Sequence, residues 1–530
     1  MPHPPQQVRE RADQKGCPDQ GHLFVVWSRL TLTRLCTALD HGVWPRRGPR
    51  PGLGRPPLSL AGCSLPCSSS STTSRPNEVP ASRRASLLII SDLYALIGSL
   101  NVVSVRPGPR TGLRLHRYYM IRGMGVSASN QIQDLPLQWR SAPRRWGHPL
   151  HSLCSYFAMF PPQLAHFFID WLTQPGESVY DPFSGRGTVP LEAVLQGRRG
   201  YGSDANPLAV VLSQAKTRVP SKRTLLKRLA DLEDSYSPRS VSIANEPANI
   251  AMLYSDETLR QLVWLKERLD RTNDTDCFWV ATILGMLHAN HNKTGPRGFS
   301  ISMPNTFAMA PGYVAKYIKE HGLVKPEVDV FAMLRTRLER LELPTAKLEG
   351  GKTWVHDATA PSPSWLVQRR PKLIFTSPPY LQVIKYGKYN WVRLWFLDET
   401  SSDVDKRLMA SASLTRYLEF MKSVAANLKH TVAEDGYVCF VIGDVRRGDD
   451  DLNLAQAVWD EVLQGQGWHL HGIIADEIPQ DRKVSRIWKN NSGRATKVDR
   501  LLLLSPTPQK LPDVVPPSWA QKLSFANARS

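Results

Sequence analysis

The chain has 530 residues, 42% of them hydrophobic, and a formal net charge of +20 at pH 7. Those figures exclude a single small domain and a chain too polar to bury a core, and the charge suits a polyanionic partner. The charge is uneven, however: residues 1–119 hold 16 Lys+Arg against 6 Asp+Glu, so half of the basic excess lies there.

That first segment contains fifteen arginines and one lysine, with Pro/Arg/Ser tracts such as residues 45–51. It carries four of the seven cysteines, with no metal-like pairing beyond Cys63-x-x-x-Cys67. No periodicity persists long enough to define a domain, so residues 1–119 are expected to be disordered or a spurious N-terminal extension, with a natural start near Met120 or Met124. The apolar stretch 87–105 is interrupted by Ser91, Asp92, Ser99 and Asn101 and is barely long enough to span, so no membrane anchor is expected. No convincing secretory signal is present. The three cysteines further on, Cys154, Cys277 and Cys439, are unpaired by spacing, which suits a reducing cytoplasm.

The first chemical motif is Ser178-Val179-Tyr180-Asp181-Pro182-Phe183-Ser184-Gly185-Arg186-Gly187-Thr188, which predicts a strand, a glycine-containing turn and a helix. Gly185 and Gly187 allow close approach of the backbone to a ligand. A second short strand, predicted over residues 199–204, ends in Asp204. Asp204 lies 23 residues after Asp181, near the ~20-residue offset at which a carboxylate meets ribose hydroxyls in nucleoside-binding α/β units. No Walker lysine follows the glycines, which argues against a triphosphate.

Residues 213–350 predict a largely helical segment. Apolar residues recur every three or four over residues 258–269, and a second apolar helix is predicted over residues 278–288. It runs into a donor-rich loop with Lys293 and Arg297, which reads as target recognition or as a solvated loop on a helical cap. His288 and His291 lack the Cys or carboxylate partners of a tetrahedral site, so no metal is expected and a capping or hydrogen-bonding role is preferred.

The run Lys372-Leu373-Ile374-Phe375 predicts a buried strand that stops at Thr376-Ser377-Pro378-Pro379-Tyr380. Two prolines remove two donors and fix φ, which ends the strand in a rigid turn. The turn presents one hydroxyl, free carbonyls and one aromatic face. That set suits a planar base with an exocyclic amine: the ring stacks on Tyr380, and its N–H groups donate to Ser377 Oγ and the Pro378 carbonyl. A Pro-rich strand end is the bland alternative. Lys385 and Lys388 then interleave with tyrosines, as in an ordered loop over nucleic acid, whereas Trp395 and Phe396 read as core. Residues 436–444 predict a strand, and residues 468–474 and 501–504 predict a further pair of strands. Between that pair lies a loop with Arg482, Arg486, Lys489 and Arg494, a DNA-backbone contact or a solvated basic hairpin.

Together, Asp181 to Thr188 and Ser377-Pro378-Pro379-Tyr380 resemble the S-adenosylmethionine-dependent amino-methyltransferases of DNA, the N4-cytosine and N6-adenine enzymes of restriction–modification systems. The resemblance covers roughly residues 145–505. It implies a Rossmann-like class I methyltransferase, with a seven-stranded mostly parallel sheet, helices on both faces and a helical insertion. Residues 120–212 and 351–510 would be the catalytic domain, 213–350 the insertion and 511–530 a tail. It further implies S-adenosylmethionine as cofactor, bound by Phe160, Pro161, Asp181, Pro182, Phe183, Ser184, Gly185, Gly187, Thr188, Asp204, Asn206, Asp357 and Thr376. Phe160-Pro161 is similar to the element that closes over methionine, and Asp357 to the acid that reads the adenine amino group. Ser377, Pro378, Pro379 and Tyr380 would be catalytic, and the Thr-Ser-Pro-Pro-Tyr form is the one associated with N4 of cytosine. No covalent intermediate is required, so the cysteines are not needed as nucleophiles.

The implied partners are double-stranded DNA and a cognate restriction endonuclease, in a prokaryotic cytoplasm with nucleoid association through DNA. Three alternatives stay open. The first is an N6-adenine enzyme, or one acting on an amino group in RNA. The second is a non-catalytic nucleic-acid-binding protein, against which the intact acids at positions 181, 204 and 357 count. The third is a small-molecule methyltransferase, which the insertion and basic loops disfavour.

Overall fold

Seven strands form one sheet: β1 (Ser178–Asp181), β2 (Arg199–Asp204), β3 (Lys352–Val355), β4 (Leu373–Thr376), β5 (Tyr437–Gly443), β6 (His469–Glu477) and β7 (Val498–Ser505). Their order is β6-β7-β5-β4-β1-β2-β3. β1 runs parallel to both β2 and β4, β2 to β3, and β4 to β5. β7 runs antiparallel to β5 and β6. The computed structural model describes residues 146–156, 160–290, 298–303, 309–381, 385–409, 411–447, 450–477 and 498–513. The expected extension at 1–119 and most of the tail at 511–530 lie outside them.

The central strands are buried along their whole length, as parallel strands covered on both faces must be. Alternate side chains serve the two faces. Val179, Phe375 and Cys439 pack with α1 (Pro162–Leu172) and with Val189 and Ala193 of α2 (Thr188–Leu195). Tyr180, Ile374 and Phe440 face the opposite layer, where Tyr417, Met421 and Val424 belong to the long helix Leu414–Thr431. α2 is also tied to the chain before it: Glu192 hydrogen-bonds to His151 Nε2 at 2.7 Å and to His166 Nδ1 at 2.8 Å. Those two contacts hold the Glu192 carboxyl down, to about 2, against the upward push of its burial.

Between β2 and β3 the chain builds α3 (Pro207–Thr217), α4 (Lys222–Asp234), α5 (Asp256–Arg268), α6 (Asp274–Met286), α7 (Pro311–His321) and α8 (Val330–Glu339). α3 runs unbroken from Pro207 to Thr217, across the expected start of the insertion at residue 213. α5 illustrates why these helices form. Ser255 Oγ accepts the Thr258 N–H, acids occupy the first turn, and Lys266 and Arg268 the last. Its apolar face packs with Leu225, Phe278 and Phe331 in a core that also takes in Leu212 and Phe396. The insertion therefore shares a core with the sheet-covering helices. Indole N–H donors seal it, from Trp279 to the Leu225 carbonyl and from Trp264 to the Leu232 carbonyl.

After β3 come α9 (Ser364–Arg369), α10 (Trp391–Phe396), α11 (Ser401–Arg407) and α12 (Leu414–Thr431). Phe396 is buried and Trp395 packs on that core, as their spacing suggested. No helix among the described residues is long and apolar enough to cross a membrane.

Candidate active site

The strand order reverses between β1 and β4, so the turns that follow these two strands open side by side at the carboxyl edge of the sheet. In open α/β sheets that crevice is where ligands bind. A buried hydrogen bond ties the two strand ends together: Thr376 Oγ1 donates to Asp181 Oδ1 at 2.6 Å. The Phe183 N–H donates to the same oxygen at 3.0 Å and starts the turn. Gly187, at φ +78°, begins α2, and a Cβ there would stand 2.7 Å from Ser213 Cα. Gly185, at φ +49°, donates its N–H to Asp204 Oδ2 at 3.0 Å.

Asp204 is the hub of this corner. Its other oxygen accepts the Asn206 N–H at 2.9 Å, and Asn206 Oδ1 in turn accepts the Leu208 N–H and caps α3. Asn206 Nδ2 donates to the Tyr156 hydroxyl at 3.1 Å. The His356 N–H donates to the Asp204 carbonyl and sets the end of β3 beside it. Asp357 follows and accepts the Thr359 N–H and hydroxyl at 2.9 and 2.8 Å. Burial raises the Asp181 carboxyl to about 7 and the Asp204 carboxyl to about 6. Two desolvated acids side by side favour a ligand that brings positive charge or hydroxyl donors.

A cavity of about 360 Å³ joins these groups to the proline turn. Of the residues singled out from sequence, Phe160, Asp181, Phe183, Ser184, Gly185, Thr188, Asp204, Asn206, Asp357, Ser377, Pro378, Pro379 and Tyr380 line it. Pro161, Pro182, Gly187 and Thr376 do not. Pro161 and Gly187 begin α1 and α2, Pro182 lies within the turn, and Thr376 sits beneath Asp181. The Ser377 side chain hydrogen-bonds to the Tyr380 hydroxyl, and burial pushes that phenol well above its usual range.

Lys385 and Lys388 are exposed on the turn before α10, while Tyr386 between them faces into the cavity. Lys293, Arg297, Arg482, Arg486, Lys489 and Arg494 lie outside the described residues, as does His291. His288 Nε2 is buried without a hydrogen-bond partner among the described residues. No cluster of three His, Cys, Asp or Glu residues suited to a metal occurs among the described residues.

Several lining residues escaped the sequence reading: Tyr156, His356, Tyr386, Phe420 and the segment 406–409. Tyr156 precedes Phe160 by four positions and belongs to no motif. Phe420 reaches the cavity from the middle of α12, where it packs on Phe183 at 5.8 Å between ring centroids. Only the folded helix brings those rings together. His356 Nε2 has no hydrogen-bond partner among the described residues, although buried.

A family model described as DNA methylase matches residues 1–215 of the chain. The type II methyltransferase M.MvaI of Kocuria varians is 35% identical over 122 residues, 22% of this chain and 26% of the relative. M.XycI, a type II methyltransferase of Xanthomonas campestris pv. cyanopsidis, is 37% identical over 76 residues, 14% of this chain and 25% of the relative. The matched segments thus span about a quarter of these relatives' length. Among solved structures, the rRNA methyltransferase aviRa from Streptomyces viridochromogenes is similar at 11% identity and a TM-score of 0.27, over 68% of this chain and 92% of that one. The fold assignment rests on the strand order itself, which is that of a Rossmann-like class I methyltransferase.

Proposed function

We propose that the chain is a DNA methylase, as the family match over residues 1–215 supports, and that it transfers a methyl group from S-adenosylmethionine to N4 of a cytosine flipped out of duplex DNA. One observation carries the reading. The turn Ser377 to Tyr380 lines the same cavity as Gly185, Asp204 and Asp357, so a methyl acceptor and a nucleoside donor can share one chamber.

The residues fit the donor. Gly185 leaves the backbone open to close approach, Asp204 retains lone pairs for ribose hydroxyls, and Asp357 stands at the end of β3 for an adenine amine. The unpartnered His356 Nε2 marks a polar position that a ligand would satisfy. When bound, the donor supplies an electrophilic methyl on a sulfonium.

The chain does the rest. An aromatic amine is a poor nucleophile because its lone pair is delocalised into the ring. Hydrogen bonds from the amine to Ser377 Oγ and the Pro378 carbonyl favour a pyramidal nitrogen and free that pair for in-line attack. Holding both reactants in one cavity supplies much of the acceleration. Flipping the base costs a few kcal/mol, and stacking on Tyr380 returns about 1–3 kcal/mol. Ser377 in place of an acid is what favours cytosine over adenine. A cognate restriction endonuclease and a nucleoid location belong to the same reading.

The test is incubation with duplex DNA and methyl-labelled S-adenosylmethionine, followed by nucleoside analysis. Label in N4-methylcytosine is the expected result. Label in N6-methyladenine would move the assignment to adenine, and label confined to RNA would overturn it.

The buried acids give a pH signature. Each has a folded-state pKa above its unfolded value, so the protonated carboxyls stabilise the free protein below about pH 4, and that stabilisation is lost as pH rises through about 6 to 7. A cationic donor with hydroxyl groups favours the ionised acids. Donor affinity, and the rise in Tm on adding donor, should therefore grow between about pH 5 and pH 8, with protons released on binding below pH 7. Calorimetry in buffers of different ionisation enthalpy reads that release directly.

A further inference from the structure

The turn after β3 is held from α12. Phe420 of that helix lines the cavity, and Asn427 stands seven residues further on, two turns away on the same side. The half-buried Asn427 donates from Nδ2 to the Ala358 carbonyl at 3.0 Å and also to the Ala360 carbonyl. An amide nitrogen carries two N–H groups, so both are engaged. One turn later the buried Thr431 hydroxyl hydrogen-bonds to Ser362 Oγ at 2.8 Å. Ala358 itself is buried in the core that Met421, Val424 and Leu428 of α12 share with Leu366. Residues 358–362 are thus pinned along one side of a long helix.

The two amide bonds reach the cavity through the backbone. A peptide unit is planar and trans, so the Ala358 carbonyl and the Thr359 N–H point in opposite directions. With the carbonyl held toward α12, the N–H is left to Asp357 Oδ1, which accepts it at 2.9 Å. The Thr359 hydroxyl donates to the same oxygen at 2.8 Å, and the Ala360 N–H closes the turn on the Asp357 carbonyl at 2.9 Å. Asp357 Oδ2 is left without a partner among the described residues. The His356 imidazole hydrogen-bonds to the Ala360 backbone, while its Nε2 has no partner among the described residues. One fixed turn therefore carries two uncommitted polar atoms, on two residues that line the cavity.

We propose that Asn427 is a positioning residue of the donor site: it holds the turn that sets Asp357 and His356 at the cavity, and thereby sets selectivity for an amine on the donor's purine. The proposal rests on the reading above, in which Asp357 meets the adenine amine. Asn427 is not among the residues that line the cavity, so it acts through the turn. Its two N–H groups matter more than its shape. Asp is nearly isosteric but, once ionised, only accepts hydrogen bonds. At position 427 it would set a negative oxygen against two carbonyls. That repulsion turns the 358–359 peptide and takes the Thr359 N–H away from Asp357.

The test measures Kd by calorimetry, with the full chain, for S-adenosylhomocysteine and for its inosine analogue, in which a carbonyl replaces the purine amine. The wild type is expected to bind the adenosine form about 10- to 100-fold more tightly, the span of one hydrogen bond to a charged group. Asn427→Ala should reduce that ratio, and Asn427→Asp should bring it to near one. Thr431→Val loosens the same helix contact but leaves the Ala358 and Ala360 carbonyls their donors, so it should lower Tm and keep the ratio. An undiminished ratio in Asn427→Asp, or an equal fall in Thr431→Val, would overturn the assignment. A wild-type ratio near one would overturn it as well. Failure of the wild type to bind S-adenosylhomocysteine at all would overturn the proposed function on which the assignment rests. Far-ultraviolet circular dichroism of each variant separates loss of selectivity from loss of fold.

Discussion

Replacing Ser377 with Ala is expected to lower methyl transfer by roughly 10²–10³-fold, the loss typical of removing one preorganised hydrogen-bonding group that acts on the transition state, while donor affinity stays at the wild-type value. The argument is differential. Ser377 lines the cavity and its side chain hydrogen-bonds to Tyr380. It makes no contact with the glycine turn or with Asp204 that would carry ground-state binding of the donor. Its effect therefore falls on kcat, because the bond from the amine strengthens as the nitrogen becomes pyramidal. Tyr380→Phe separates two roles of the neighbouring ring. It keeps the stacking face but removes the hydroxyl partner of Ser377, so a modest fall in kcat with unchanged acceptor affinity is expected. Tyr380→Ala loses the face itself and should abolish transfer. Single-turnover kinetics together with donor titration check all three. Loss of donor binding in Ser377→Ala would show that the roles of the two turns had been exchanged.

The two turns were legible in sequence because each is a local device. Prolines end β4 whatever packs around it, and Gly187 is demanded by the approach of Ser213 at the start of α2. Asp204 was legible through its offset from Asp181, since a short α/β unit fixes the distance between consecutive strand ends. Thr376 shows the limit of the same reasoning. As part of the motif it was expected to bind cofactor; its hydroxyl donates to Asp181, and it is not among the residues that line the cavity. Tyr156, Phe420 and the segment 406–409 were invisible for the opposite reason. They reach the cavity from a loop before the sheet, from the middle of α12 and from the end of α11, and only packing in three dimensions assembles them. α3 runs across the expected start of the insertion at residue 213, and no proline or glycine stands in the chain between Pro207 and Pro220 to mark an end there.

Asp204→Ala is expected to weaken donor binding by about 10- to 100-fold, because a hydrogen bond to a charged group contributes about 1.5–3 kcal/mol and the carboxylate would accept the ribose hydroxyls. The substitution also strips acceptors from the Gly185 and Asn206 N–H groups. An unpaired buried N–H costs about 1–3 kcal/mol, so the glycine turn loosens and Tm falls. Asn at this position keeps one acceptor oxygen but turns an amide N–H₂ toward a backbone donor. Asp204→Asn should therefore recover part of the stability and little of the affinity. The pH dependence distinguishes a binding carboxylate from a structural one. In the wild type, donor affinity rises as the Asp204 and Asp181 carboxyls ionise through about 6 and 7. In Asp204→Asn only the step belonging to Asp181 remains, and it moves down because a neighbouring negative charge no longer opposes ionisation. A donor titration that keeps the wild-type pH profile in Asp204→Asn would remove Asp204 from the donor site and leave it as a support for the turn alone.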